Sequence, residues 1–252
     1  MPSTEPSTEP GTTSGTTPGI ARTEQKDHTT VNHTTEPPLI DGARPLSAET
    51  VQALNELCGR AEDAAGSGVR TPLVLRVGGA PVPAAVPAPP LALVNKWERA
   101  LRRLERLDLP TVALVSGDCG GTALEALLAT DHRIATPGSR LLLPAAADGL
   151  WPGMALYRLA NQAGIAATRQ AVLFGGALPA ERALALHLLD RLAADPSAAL
   201  ADDAESLAAA SGGIAIRRQL MLDAGTTSFE EALGRHLAAC DRLLRRTAAA
   251  SS

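Results

Sequence analysis

An α/β fold that gives way to a helical C-terminal region is what the sequence predicts, on three observations. Short apolar runs of strand length alternate with longer amphipathic stretches through the first half of the chain. After residue 195 the apolar spacing is helical throughout. Aromatic residues make up only 2 % of the 252, while apolar residues reach 45 %. Leu and Ala must therefore fill the core, which suits helices packed on a sheet better than an aromatic-rich β-sandwich.

Residues 1–38 form a Thr/Pro/Ser-rich tail in which Ser3-Thr4-Glu5-Pro6 is repeated as Ser7-Thr8-Glu9-Pro10. Such a segment has too little apolar surface to offset its ordering entropy, and disorder is expected. His28 and His33 lie in it without a rigid frame for a metal. Folding is expected from Leu39. Ser47 is placed to cap a helix carrying Val51, Leu54, Leu57 and Cys58 on one face. Thr71–Val77 reads as a buried strand ended by Gly78-Gly79, followed by a Pro/Ala-rich loop over 80–90. Leu91–Leu107 has a helical stripe, Val94, Trp97, Leu101 and Leu104, with Lys96, Glu98, Arg102 and Arg103 turned to water. Pro110–Ser116 is a second buried strand. Short β-like pieces follow at His132–Ala135 and Arg140–Leu143, then helices near 154–163 and 167–173, broken by Phe174-Gly175-Gly176. Pro179 opens another helix, and Leu188–Leu192 has strand character. Ser228 and Glu231 form a capping box for a last helix with the stripe Leu233, Leu237, Cys240 and Leu244.

The most informative run is Gly117-Asp118-Cys119-Gly120-Gly121-Thr122-Ala123-Leu124-Glu125, continuing to Asp131. A strand, a glycine turn and a helix N-terminus aim backbone N–H groups at one point, where a developing oxyanion can be held. Glu125 stands one helical turn further on, within reach of a proton beside that point. The run lacks the Lys-Ser/Thr that a phosphate loop requires. Net charge is −4, which excludes a typical nucleic-acid binder. Three scattered cysteines argue against a disulfide framework or a zinc site and fit a reducing cytoplasm. No apolar run approaches the roughly 20 residues that span a bilayer, and no signal pattern opens the chain.

Gly117, Gly120-Gly121, Glu125 and Asp131 resemble, in spacing, the first motif of the crotonase (enoyl-CoA hydratase/isomerase) superfamily. Pro144-Ala145-Ala146-Ala147-Asp148-Gly149-Leu150-Trp151-Pro152-Gly153 fits its second motif. Phe174-Gly175-Gly176, Pro179-Ala180-Glu181 and His187-Leu188-Leu189-Asp190 resemble a later segment that ends in Gly-Leu-Val. The likeness spans about residues 40–250. It implies a spiral of ββα units over 39–195, a helical oligomerisation region over 196–252, and a homo-trimer or hexamer. It also implies an acyl-CoA thioester substrate, with no cofactor beyond the coenzyme A that the substrate carries. Val94–Arg103 and Trp151–Arg158 are similar to crotonase-like accessory enzymes of 3,5-dihydroxyphenylglycine biosynthesis. That branch implies dehydration and aromatisation of a polyketide-CoA to 3,5-dihydroxyphenylacetyl-CoA in antibiotic biosynthesis, beside a type III polyketide synthase and sister crotonase-like enzymes.

By the same resemblance, the oxyanion hole has two backbone N–H groups, one at Gly121–Thr122 and the other in the 80–90 loop around Ala84-Ala85, assigned to Ala85. Thr122 stands where glycine is usual, and its side chain is expected to narrow the pocket. Glu125 matches the first of two catalytic glutamates. Ala145 stands where the second should be, so simple hydration of enoyl-CoA is expected to be poor. Asp148 is a candidate second acid, and Trp151 and Gly120 are candidate substrate contacts. Other readings stay open: Glu125 as a solvated helix residue, Asp148 as a turn residue, Cys119 as turn packing, Trp97 and Trp151 as core. The Arg-rich face at 99–106 is a solvated helix face or a contact for coenzyme A phosphates. His187 and His236 read as ordinary surface or boundary residues in helical context. A non-catalytic subunit that binds and stimulates the synthase is the alternative function.

Overall fold

The computed structural model describes residues 36–81, 89–143 and 153–250. The tail over 1–35, most of the 80–90 loop, and Pro144–Pro152 lie outside them. In chain order the elements are β1 (Leu39–Asp41), α1 (Ala48–Gly66), β2 (Leu73–Gly79), α2 (Leu91–Leu104), β3 (Thr111–Cys119), α3 (Gly121–Leu128), β4 (His132–Ala135), β5 (Arg140–Leu142), α4 (Ala155–Ala163), α5 (Ile165–Phe174), β6 (Ala177–Pro179), α6 (Ala180–Ala185), β7 (Arg191–Leu192), α7 (Pro196–Ala210), α8 (Ile214–Ala224) and α9 (Phe229–Ala250).

Strands β1, β2, β3, β4 and β7 lie side by side in that order, all parallel. β3 is longer than its sequence pattern suggests, because it bends instead of stopping. Its first half pairs with β4 through Val112–Val115, while Asp118 and Cys119 pair with Arg140 and Leu141 of β5. Between the two pairings sits Gly117 at φ +72°, a backbone angle open to glycine. Opposite this bend, the β2 register passes directly from Val77↔Val115 to Gly79↔Cys119. The bulge turns the end of β3 into a second layer, where β5 pairs antiparallel with β6. The short β6 was not legible as a strand, since its one buried side chain is Leu178.

Alternation along β3 divides the core. Ala113 and Val115 face the larger apolar cluster, which holds the buried stripes of α1, α2 and α3. Val112 and Leu114 face the other way, with Ile134, onto Ala199 of α7. Ser47 caps α1 as expected, its Oγ accepting from the Thr50 N–H at 3.2 Å. Val94, Trp97, Leu101 and Leu104 are all buried. Two residues expected in water on α2 are instead clamps. Arg103 donates to both carboxylate oxygens of Glu62 on α1, and Glu98 accepts from Arg158 of α4 and from the Met154 N–H.

Buried arginines join the outer helices to the sheet. Arg133 of β4 donates to the carbonyls of Leu128, Thr130 and Leu188 and to Gln162. Burial pulls its guanidinium down to about 10, which leaves it charged at neutral pH. Arg218 of α8 donates to the carbonyls of Glu105, Leu107 and Leu109 and, at 2.6 Å, to both oxygens of Asp131. Asp131 also accepts from the N–H and hydroxyl of Thr111. The aspartate of the glycine motif thus ties the start of β3 to the C-terminal helices. His187 is not inside a helix. At φ +55° it follows the last turn of α6. Its N–H donates to Leu184 and that of Leu188 to Ala183. This is a Schellman cap whose left-handed position glycine usually fills.

Replacing Arg218 with Met should destabilise the protein by about 3 kcal/mol, since it strands a carboxylate and three carbonyls. The midpoint of urea unfolding measures the loss. Replacing His187 with Gly should move that midpoint the opposite way, by up to about 1 kcal/mol, because it relieves the left-handed strain.

Candidate active site

The carboxyl ends of β1, β2 and β3 are knitted together by their backbones. Gly42, just after β1, donates to the Gly78 carbonyl at 2.8 Å, and Gly120, just after β3, donates to the Gly79 carbonyl at 2.9 Å. Gly120 is extended (φ −142°, ψ 179°) and serves as the N-cap of α3. With no side chain, it leaves the first amides of the helix uncapped by itself. Gly121 then takes φ +53°, and a Cβ there would lie 2.8 Å from Cγ of Pro81. Only glycine fits this corner, where the strand turns into a helix within one residue.

Intrahelical bonding begins with the Ala123 and Leu124 N–H groups, both donating to the Gly120 carbonyl. The amides of Gly121 and Thr122 precede it and have no acceptor within the helix. They sit at the positive end of the helix, where an oxyanion is favoured. Thr122 is buried, and its hydroxyl donates to the Asp41 carbonyl at 3.5 Å. Its side chain therefore ties α3 to β1. Gly120 spends its own amide on Gly79; what it offers the site is the shape of the turn.

Glu125 lies four residues after Gly121, on the same face of α3 and one turn along. Its side chain is fully buried, which removes the solvated-helix reading. Its Oε2 accepts a hydrogen bond of 2.7 Å from the indole N–H of Trp97, itself fully buried in the middle of α2. Trp97 is core, as its stripe implies, and also the partner of the candidate catalytic carboxylate. A buried indole must place its N–H, and an acidic residue inside an apolar helix is the acceptor to look for. Gly120, Gly121, Thr122 and Glu125 are thus gathered on one helix start. Ala85, Asp148 and Trp151, along with Ala145, lie outside the described residues.

Arg158 is buried between Glu98 and Glu105 at 2.9 and 2.8 Å, holding α4 against α2. Asp118 accepts both guanidinium bonds of Arg140, at 2.7 Å each, which pins β5 beside the glycine turn. Cys119 is fully buried, and burial pushes its thiol far up; Cys58 is pushed up to about 11 by the same cause. Neither offers a thiolate, and a covalent role for Cys119 has no support. Among the described residues, no group of His, Cys, Asp or Glu is arranged to hold a metal, and no helix is long and apolar enough to cross a membrane.

The profile of the enoyl-CoA hydratase/isomerase family matches residues 91–252. A protein of Amycolatopsis orientalis named enoyl-CoA-hydratase is 51 % identical over 210 residues, covering 83 % of this chain and 95 % of that one. The chain belongs to the enoyl-CoA hydratase/isomerase family, the crotonase superfamily. Its fold is shared with solved structures of lower identity. An enoyl-CoA hydratase from Shewanella pealeana superposes with a TM-score of 0.68 at 19 % identity, over 81 % of this chain and 83 % of the other. A family member from Silicibacter pomeroyi gives 0.67 at 22 %, over 82 % and 93 %.

In the folded protein, a thiol-reactive disulfide reagent at pH 8 should modify Cys240, which is partly exposed, and leave Cys58 and Cys119 unmodified until urea is added. Mass mapping of the labelled peptides checks this.

Proposed function

We propose that the protein catalyses proton transfer next to the carbonyl of an acyl-CoA thioester. The thioester oxygen is received by the amides of Gly121 and Thr122, and Glu125 moves the proton. The observation that carries this reading is the placement of a fully buried carboxylate one helical turn from the two leading amides of α3. Amides aimed at the oxygen stabilise the enolate-like charge that builds there, and general acid–base help is worth roughly 10²–10⁴-fold. The sequence has Ala145 where the family's second glutamate is expected. With one carboxylate, removal of a proton and loss of a hydroxyl are favoured over addition of water. We further propose the dehydration and aromatisation that yields 3,5-dihydroxyphenylacetyl-CoA in antibiotic biosynthesis as the reaction, carried out in the cytoplasm next to a type III polyketide synthase. The segments Val94–Arg103 and Trp151–Arg158 support that assignment.

Assembly into a trimer or hexamer is part of the same proposal. Phe229, Leu233 and Leu237 of α9 are exposed, which supports such an assembly. A second reading, a non-catalytic subunit that stimulates the synthase, draws on Ala145 and on the tie between Glu125 and Trp97.

The test is formation of 3,5-dihydroxyphenylacetyl-CoA by the synthase with wild-type protein, with Glu125→Gln and with Thr122→Pro, which removes one leading amide of the first turn together with the hydroxyl on Asp41. Catalysis predicts that Glu125→Gln lowers stimulation by about 10²-fold or more and Thr122→Pro by about 10²-fold. Stimulation equal to wild type by both variants would establish the non-catalytic reading.

A further inference from the structure

Helices α8 and α9 are neighbours that leave a groove between them. α8 lines it with Ile216, Gln219, Leu220 and Asp223. α9 lines it with Arg235, Ala238, Ala239 and Arg242. Both sets follow the spacing i, i+3, i+4, i+7, so each is one face of its helix. Two helix faces with large apolar side chains fill each other's grooves. Here the apolar part of the α9 face is only two alanines, and about 200 Å³ stays open. The floor is apolar: Ala239 is buried, and Ile216 and Leu220 are half-buried. The rim is charged. Arg235 is spent on Asp223, at 2.9 Å. Among the described residues, Arg242 has no hydrogen-bond or ion-pair partner. The groove therefore sets one unmatched positive charge beside an apolar floor.

This place is separate from the two surfaces already described. The glycine turn and the start of α3 stand at the carboxyl ends of β1, β2 and β3. α8 is fixed at the other end of the sheet. Its Arg218, on the side of α8 away from the groove, donates to Leu107 and Leu109 ahead of β3 and to Asp131 ahead of β4. On α9, helical periodicity puts the exposed Phe229, Leu233 and Leu237 on the side opposite Arg235, Ala238 and Arg242. Assembly through that stripe leaves the groove face turned to α8.

We propose that the groove is a binding site for a small aryl carboxylate, with the ring on Ile216, Leu220 and Ala239 and the carboxylate on Arg242. Size and charge select this class. A cavity of about 150 Å³ holds benzene, so about 200 Å³ has room for a ring and its acid group. A guanidinium takes a carboxylate through two parallel hydrogen bonds. A neutral arene leaves the charge unmatched, and an inorganic anion leaves the apolar floor in water. Binding is non-covalent and independent of the acyl-CoA reading.

The probe is benzoate, titrated into the full-length protein by calorimetry and followed by methyl NMR. The expected Kd is about 1 mM, with shifts at the methyl groups of Ile216, Leu220, Ala238 and Ala239. Arg242 and Ala238 are both exposed, so their variants keep the fold. Arg242→Gln should weaken binding about 10-fold or more. Ala238→Leu fills the groove and should abolish binding. Arg245→Gln, whose partner Asp241 lies outside the groove, should bind as wild type does. Benzyl alcohol, which keeps the ring, and sulfate, which keeps the charge, should each bind at least about 10-fold more weakly than benzoate. Saturating coenzyme A should leave benzoate in place. The proposal is overturned if benzoate fails to bind at about 10 mM, if either groove variant binds it as tightly as wild type, or if benzyl alcohol or sulfate matches it. Displacement by coenzyme A overturns it as well, since benzoate would then occupy the acyl-CoA site.

Discussion

Backbone bonds between three strand ends are the constraint on which the rest of this structure depends. Gly42 to Gly78 and Gly120 to Gly79 bring the ends of β1, β2 and β3 so close that α3 must begin at once, and at one angle. Everything placed by α3 inherits that geometry: the leading amides of Gly121 and Thr122, the Thr122 hydroxyl on Asp41, and Glu125 one turn deeper. The bulge at Gly117 serves the same end, since it carries the last residues of β3 away from β4 and over to β5.

With few aromatic side chains, the protein joins its layers by a second device. Arg133, Arg158 and Arg218 each reach into the interior and gather carbonyls or carboxylates from several segments. A guanidinium has five donors in a rigid plane, and one such group can satisfy several buried acceptors that no apolar residue could. An ammonium cannot replace this fork, so lysine would not serve at these three positions.

Much of the fold was legible because local chemistry decided it. Ser47 caps α1, the Val94–Leu104 stripe is buried, and the β3 to α3 corner falls where its glycines stand. What could not be read depended on partners far along the chain. Nothing in Ala177-Leu178-Pro179 marks a strand until β5 is beside it. Glu98 and Arg103 look like surface charges on α2, and only the arrival of Arg158 and Glu62 draws them in. The site followed the same rule. Glu125 was found from its spacing to the glycines, whereas the bond from Trp97 crosses between helices and has no local signature. His187 could have been read from the Gly-Leu-Val likeness, since a histidine in a glycine's place predicts a positive φ.

The two faces of the sheet are unequally covered. One carries the large cluster under α1, α2 and α3, while the other rests on Val112, Leu114, Ile134 and Ala199 beneath α7, with His132, Arg191, Asp202 and Asp203 bonded at the rim. Free energies of local opening follow buried apolar contact. Amide protons along α7 are therefore expected to exchange with solvent through a partial detachment, ahead of those of α3. The thin side is where opening is expected to start, and the helix start that organises the chemistry lies on the better-packed side.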